Sequence, residues 1–393
     1  MDKVFRVELS GGNRRYCELD LPATTYEMLD ALERLQLKPG DKPEWEIIEH
    51  TSFQFLHVHL TGECDLYQLN TLAARLSQMN NSEKIAFEGL FTLEVAKKYG
   101  PISIATMVDL AYSTDCCHVL PGITTDAQLG EYFIHSGFLP EIDELSEELF
   151  QALDINKLGQ ALRTQEKGLL VSGGYVVRHL QSTKQVYSSL DLVPKVPDYT
   201  IRLLVGRYPF ETNGQPDKPV PLDLPATPNV LAQALENSGA ASWEEAVFYV
   251  EDCAIPGLFE NMDCEDIHQM NDLAQVIKYR KDRDELLKLK AVLRAADCHC
   301  ISAAISIAEN LDDYFYESDQ RTAEEVAMEE LHLVVDEAAV QTLQKHVDLF
   351  GYGKDLILQS NAMLTPYGLV AREDGGMLQV PTAPHTQGGM QMQ

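Results

Sequence analysis

Between residues 301 and 340 the chain carries eleven carboxylates against one base, Arg321. The acids are Glu309, Asp312, Asp313, Glu317, Asp319, Glu324, Glu325, Glu329, Glu330, Asp336 and Glu337. Side chains of one sign at such short intervals suit two kinds of chemistry. They can hold a divalent cation, or they can present a ladder of negative charge to a basic surface. A helix rises about 1.5 Å per residue, so acids every three to five positions stand several ångströms apart along a stiff rod. A duplex carries one phosphate charge per about 1.7 Å of axis, both strands counted, which is the same order of spacing. Ordinary solvated helix faces interleave Lys and Arg for i,i+4 pairing, and this stretch forgoes them. A weaker version spans residues 102–156, with Asp109, Asp115, Asp126, Glu131, Glu141, Asp143, Glu144, Glu147, Glu148 and Asp154, and no base before Lys157.

Other candidate chemistry is thinner. Cys116-Cys117-His118, Cys298-His299-Cys300 and the pair His57 and His59 contain metal-ligand types. Zinc sites, however, need ligand pairs spaced along the chain with a second pair elsewhere, and adjacent ligands seldom share one ion. No metal and no cofactor is therefore expected. The chain has no phosphate-cradling glycine loop, H-E-x-x-H, nucleophile elbow or kinase motif set, and Gly173-Gly174 and Gly351-Tyr352-Gly353 read as turns. A Mg²⁺-dependent hydrolase built on the acid clusters would repel a nucleic-acid substrate, because the net charge is −30. The expectation is a protein without catalysis.

Charge is spread through the whole chain. Sixty-one acids face 31 bases, and residues 1–180 already hold 27 acids against 15 bases. Neither half suits nucleic acid or an anionic membrane, since both partners require basic surface. Hydrophobic residues make up 45%, enough for two real cores. Met1-Asp2-Lys3-Val4-Phe5-Arg6 has no leader-like apolar run, no spanning stretch follows, and the eight cysteines are scattered. A cytoplasmic protein with reduced thiols is expected.

The elements that must position these acids come in two sets. Leu19-Asp20-Leu21-Pro22-Ala23-Thr24 returns as Leu222-Asp223-Leu224-Pro225-Ala226-Thr227, and Cys64-Asp65-Leu66 followed by Leu69-Asn70-Thr71-Leu72-Ala73 returns as Cys264-Glu265-Asp266 followed by Met270-Asn271-Asp272-Leu273-Ala274. Ile102-Ser103 recurs as Ile301-Ser302. Matches kept in order at a slowly drifting offset imply a duplicated domain. The boundaries predicted are 1–180 for the first repeat, 181–199 for a linker, 200–371 for the second repeat and 372–393 for a disordered tail. Strands are expected at Val4–Leu9, Tyr16–Leu21, Trp45–His50 and Phe53–Leu60, with turns at Gly11-Gly12-Asn13 and Pro39-Gly40. The second copy repeats them at Thr200–Val205, Val220–Leu224 and Ala246–Val250. Helices follow at about 66–76, 83–98, 102–112, 126–135 and 144–152, and again at about 267–277, 282–296, 301–312, 322–333 and 336–348. The fold class is α+β: two tandem repeats, each a small, mostly antiparallel sheet with one helix, then a helical acidic region.

The second copy resembles the ArdA-type antirestriction proteins. The likeness rests on Leu224–Leu235, on the acid-flanked strand Glu244-Glu245-Ala246-Val247-Phe248-Tyr249-Val250-Glu251-Asp252, and on the Ile-x-x-Met-Asn-x-Leu spacing from Ile267. It closes on Phe350-Gly351-Tyr352-Gly353-Lys354-Asp355-Leu356 and a last hairpin through Tyr367-Gly368-Leu369-Val370. Residues 200–371 carry it well; residues 4–178 carry it faintly, with Leu158-Gly159-Gln160-Ala161-Leu162 at the matching place. The resemblance implies an elongated, acidic mimic of B-form DNA that occupies the DNA-binding groove of a type I restriction–modification enzyme. Its carboxylates would imitate phosphates, and no direct nucleic-acid binding is implied. The residues so assigned are Asp109, Asp115, Asp126, Glu131, Glu144, Glu147, Glu148 and the eleven acids of 301–340. Family members act as dimers; two units in one chain imply a pseudo-dimer, with a homodimer as the other arrangement. The basic cluster Lys278-Tyr279-Arg280-Lys281 with Arg283 departs from an unbroken acidic strip. Thirty charges at about 1.7 Å each would imitate roughly 50 Å of duplex. An acidic adaptor or other anti-defence protein, binding a basic partner through one repeat only, is the alternative.

Overall fold

The computed structural model describes residues 2–378 except 12–14, 38–40, 51, 61–64, 98–99, 140–141, 143–145, 181, 191, 193–194, 208–210, 213–214, 217–218, 261, 263, 265 and 281. The turns expected at Gly12-Asn13 and Pro39-Gly40, with Glu141, Asp143, Glu144, Lys281 and the tail 379–393, lie outside the described residues. The chain is a mixed α+β protein with small three-stranded antiparallel sheets. It forms two compact units: Met1–Ala23 with Leu37–Lys195, and Thr24–Gln36 with Val196–Gln393.

In the first unit, β1 (Phe5–Gly11) is the middle strand between β2 (Arg15–Leu21) and β3 (Glu44–His50). Val7, Leu9, Cys17, Leu19 and Leu21 point inward while Glu8 and Glu18 point out, the period-two pattern of a half-buried sheet. Helix α2 (Leu66–Ser77) starts at an Asp65 capping box and buries Leu66, Leu69, Leu72, Ala73 and Leu76. Next come α3 (Asn81–Val95), capped by Asn80, and α4 (Ile104–Ala111), capped by Ser103. A second sheet is built from β4 (Cys117–Pro121), β5 (Leu169–Val171) and β6 (Gly174–Arg178), with β6 in the middle. Between β4 and β5 lie α5 (Asp126–His135), α6 (Glu147–Gln151) and α7 (Ile155–Glu166).

The second unit has a like succession. Strand β7 (Ile201–Arg207) lies between β10 (Val220–Leu224) and β11 (Ala246–Cys253), with the ribbon β8 (Glu211–Thr212) and β9 (Gln215–Pro216) between β7 and β10 in sequence. Helix α8 (Pro228–Ser238) follows β10; α9 (Ile267–Tyr279), α10 (Arg283–Ala295) and α11 (Ile301–Glu309) follow β11. Strand β12 (Tyr314–Glu317) pairs with β14 (Gly368–Arg372), which also pairs with β13 (Met363–Thr365). Helices α12 (Ala323–Val334), α13 (Glu337–Leu343) and α14 (Leu349–Gln359) lie between β12 and β13.

Local devices recur at matching places. Arg6 grips Asp20 across β1 and β2 at 2.7 and 3.2 Å, and Arg202 grips Asp223 across β7 and β10 at 2.6 and 2.9 Å. Asn70 and Asn271 each accept a backbone amide at 2.7 Å, from Ala23 and Ala226. A Cβ on Gly159 of α7 would stand 1.8 Å from the Asp126 carbonyl oxygen, and one on Gly353 of α14 would stand 1.8 Å from that of Ala323. Only glycine permits either helix crossing.

The first helix, α1 (Thr25–Arg34), belongs to the second unit. Lys290 of α10, with its side chain 2% exposed, reaches Asp30 at 2.8 Å and Glu33 at 2.7 Å. Tyr367 donates to the same Asp30 oxygen at 2.9 Å, and Arg321 donates to the Glu33 and Arg34 carbonyls at 3.0 and 2.9 Å. Burial alone would lower the Lys290 pKa; Asp30 and Glu33 outweigh it and raise the pKa. Helix α8, which follows the same Leu-Asp-Leu-Pro-Ala-Thr motif, has Asn229, Gln233 and Glu236 where α1 has Tyr26, Asp30 and Glu33.

Several expectations are corrected. Phe53–Leu60 is no strand: Gln54–His59 is a 3₁₀ turn entered through Phe53 at φ 63°. Phe53, Leu56 and Leu60 are the buried residues, a spacing of three and four rather than two. Gly351-Tyr352-Gly353 is not a turn but part of α14. The acidic regions are not wholly helical, since each includes strands of a second sheet. Helix α4 starts at Ile104 and α11 at Ile301, so Ile102-Ser103 lies before its helix while Ile301-Ser302 lies inside its own. Within the linker expected at 181–199, Lys184, Val186 and Tyr187 are hydrogen-bonded to Ser113, Asp115 and Asp109 of the first unit. The predicted tail begins inside structure: Arg372 ends β14 and Leu378 is buried in the core.

Candidate acidic interaction surface

In the first unit much of the predicted acidic array is consumed internally. Asp109 is buried in α4, and its Oδ1 accepts the Val186 and Tyr187 amides at 2.7 and 2.8 Å. Asp126 is held by Arg163 through two bonds, 2.7 and 3.0 Å. Asp115 is exposed, but Lys184 donates to it at 2.8 Å and draws its carboxyl below the usual range. Asp109 is thus no surface charge, and Asp115 and Asp126 are neutralised. The window 102–156 contains no base; the fold supplies Arg163 and Lys184 from beyond it. Glu131, Glu147 and Glu148 remain exposed. Glu144 lies outside the described residues.

The second unit treats its acids differently. Glu309, Asp312, Asp313, Asp319, Glu324 and Glu329 are exposed; Glu317 and Glu330 are half-buried. Among the described residues, none of these eight has a Lys or Arg within ion-pair distance. Three others have structural duties. Glu325 closes the α12 capping box, accepting the Thr322 amide at 3.0 Å and the Arg321 amide at 2.8 Å. Asp336 caps α13 through the Ala339 amide, and Glu337 lies 3.3 Å from His332. The acids do not form one stripe: at about 100° per residue, Glu324 and Glu329 stand some 140° apart around α12. Of the basic cluster that interrupts the acidic sequence, Arg280 and Arg283 are engaged within the unit, Lys278 is exposed, and Lys281 lies outside the described residues. Arg280 donates to the Ala308 carbonyl, and Arg283 lies 3.8 Å from Glu33.

The cysteine and histidine motifs form no gathered site. Cys116 is buried, and burial, then Cys116 itself, pushes the Cys117 thiol up to about 12. His118 stacks on His179 with ring centroids 4.5 Å apart. Cys298 donates to the Cys300 carbonyl at 3.4 Å, and His299 lies 3.2 Å from Asp297. His57 meets His50 at 2.9 Å, while His59 accepts the Ile102 amide. Among the described residues no three His, Cys, Asp or Glu side chains cluster as metal ligands, and no helix is long and apolar enough to cross a membrane.

A cavity of about 290 Å³ in the second unit is lined by Asp30, Arg34, Lys290, Arg294 and Tyr367, away from the exposed acids of α12. Sequence reading missed the Lys290 network entirely. The only available signal was a lone Lys on the apolar face of a predicted helix, beside Leu289, Ala291 and Val292. It also passed over the exposed apolar residues among the acids, Leu333 and Val334 above all. No protein-family model matches the chain, and no curated protein matches it in sequence.

Proposed function

We propose that this protein is a non-catalytic, DNA-mimicking inhibitor of a type I restriction–modification enzyme, like the ArdA-type proteins it resembles, and that its halves are tandem copies of one domain. One observation carries the reading: among the described residues, eight carboxylates of the second unit lie at least partly in solvent without a Lys or Arg within ion-pair distance, on α11, α12, β12 and the turns between them. A basic groove evolved for phosphates would gain from such a surface what it gains from duplex, including release of counterions. The common order of elements, the Arg–Asp cross-strand grips and the paired helix glycines support descent of the two halves from one domain. Inhibition on this reading is competitive exclusion of DNA. The cytoplasm, where restriction enzymes meet DNA, is its expected place of action.

The test is competition between the protein and duplex DNA for a type I enzyme across a range of salt. Inhibition should weaken steeply as salt rises, and Glu324→Gln, Glu329→Gln and Glu330→Gln should each weaken it by a modest, similar factor. Inhibition indifferent to salt would remove the electrostatic basis of the proposal. The internal pairing of Asp109, Asp115 and Asp126 favours the second reading, an acidic adaptor that engages a basic partner through the second unit alone. Collapse of binding at a single acid, with the others silent, would select the adaptor.

A further inference from the structure

The acidic regions hold side chains for which a DNA mimic has no use. Leu333 is 74% exposed and Val334 59% exposed at the C-terminal end of α12, and Phe350 is exposed in the first turn of α14. The corresponding part of the first unit, after α5 and in α6, exposes Phe138 at 62% and Leu149 at 60%, with Phe150 beside it. Each lies among acids. Leu333 follows Glu329 by one helical turn and Val334 follows Glu330 likewise, so each pair shares a face with Cβ atoms about 5–6 Å apart. Glu147 and Glu148 directly precede Leu149 and Phe150. Phe350 already takes a cation, the Lys354 ammonium, 4.3 Å from its ring centroid.

A groove shaped for duplex DNA is polar and positively charged, because it meets phosphate and sugar. Bare leucine against such a groove is a mismatch. Exposed apolar residues rimmed by charge are instead a mark of protein–protein contact. We infer that the exposed Leu333–Val334 end of α12, beside Glu329 and Glu330, docks an amphipathic basic segment of a protein partner, one with Lys or Arg along one side and apolar side chains along the other. The inference rests on the reading above that the partner is a basic protein, and adds the chemistry of its contact segment. Charge selects this occupant: two copies of a −30 chain would bring like charges together, and an anionic membrane would be repelled. Helix docking by apolar anchors flanked by ion pairs is an established recognition mode.

The experiment titrates the full-length protein with two labelled peptides of equal length, on the order of 18 residues or five helical turns, and equal positive charge. One is a Lys/Leu amphipathic helix, the other a Lys/Ser control. The Lys/Leu peptide should bind about tenfold tighter than the control at every salt concentration, both weakening as salt rises, because apolar burial adds to the screened ion pairs. Leu333→Ser with Val334→Ser should bring it to the control's level. Both positions are exposed, so the fold is not at risk. Equal binding of the two peptides, or indifference to the double substitution, overturns the inference. If Glu329→Gln with Glu330→Gln still weakens both peptides in that case, the basic-partner reading survives alone; if neither peptide binds, both readings fall. Self-association removed by Leu333→Ser with Val334→Ser would assign the face to a second copy and overturn the inference as well.

Discussion

The two acidic stretches look alike as strings of letters and behave differently as surfaces. In the first unit Asp109 is buried against backbone amides, and Asp115 and Asp126 are matched by Lys184 and Arg163. In the second unit the residues in line with Asp109 and Asp126 are the uncharged Ser306 and Ala323, and Glu309, Asp312, Asp313, Asp319, Glu324 and Glu329 face solvent with no Lys or Arg within ion-pair distance among the described residues. A run without bases therefore measures local composition, not surface charge. Neutralising groups arrive from outside the run, and only folding says whether they arrive.

The sharpest break of that contrast is Asp109→Ala. It removes the acceptor of two half-buried amides, so urea unfolding should show the first unit losing roughly 1–3 kcal/mol. Ser306→Ala, at the matching exposed place, should leave stability within about 0.5 kcal/mol. Features shared by both units should fail alike. Gly159→Ala and Gly353→Ala each drive a methyl into a carbonyl oxygen, and each should cost about 1–3 kcal/mol in thermal or urea melts. Unequal losses would mean that the two crossings are not equivalent. Smallest of all, Glu324→Gln, Glu329→Gln and Glu330→Gln should each leave stability within about 0.5 kcal/mol while weakening the inhibition described above. A large stability loss there would show that these acids, too, are structural.

Acid titration sharpens the comparison further. Arg75 donates to Glu83 at 2.5 Å, and this bond, with the Asn80 cap, holds the Glu83 carboxyl below its ordinary value. Its stabilisation is present above the unfolded value, near 4.5, and is lost as pH falls through the lower folded value. Asp252 in the second unit is the opposite case: burial raises its carboxyl above 3.8 despite bonds from Thr24 and Tyr199. Its contribution is intact at low pH and is lost as pH rises from about 3.8 through the raised folded value. Glu83→Gln should thus flatten the acid-side fall in urea midpoint between about pH 5 and 2, while Asp252→Asn should steepen the net fall. Parallel curves for both variants and the parent would mean that neither carboxyl is perturbed.

Much of the frame was legible in the residues themselves. Asp65, Ser103, Thr125 and Thr322 each begin a helix where a short polar side chain precedes an apolar period. The strands of β1, β2, β7 and β10 follow from alternation. These are local choices, made by side chains within a few residues of one another, and they survive any tertiary context that keeps the apolar face covered. The 3₁₀ turn at Gln54–His59 escaped because a short apolar run has no period long enough to separate strand from turn, and the pairing of Phe53 and Phe55 with Phe87 is a distant contact.

Composition and local pattern alone determined that this is a strongly acidic α+β chain with two sets of similar elements. Tertiary structure decided which carboxylates remain available. It also decided that α1 joins the second unit, where Lys290 could be buried only because Asp30, Glu33 and Tyr367 meet it there. The reason is physical. Helix caps and strand alternation depend on neighbours along the chain, whereas desolvating a charge costs several kcal/mol unless a partner is at hand. That partner is set by three-dimensional proximity and is invisible in the order of residues.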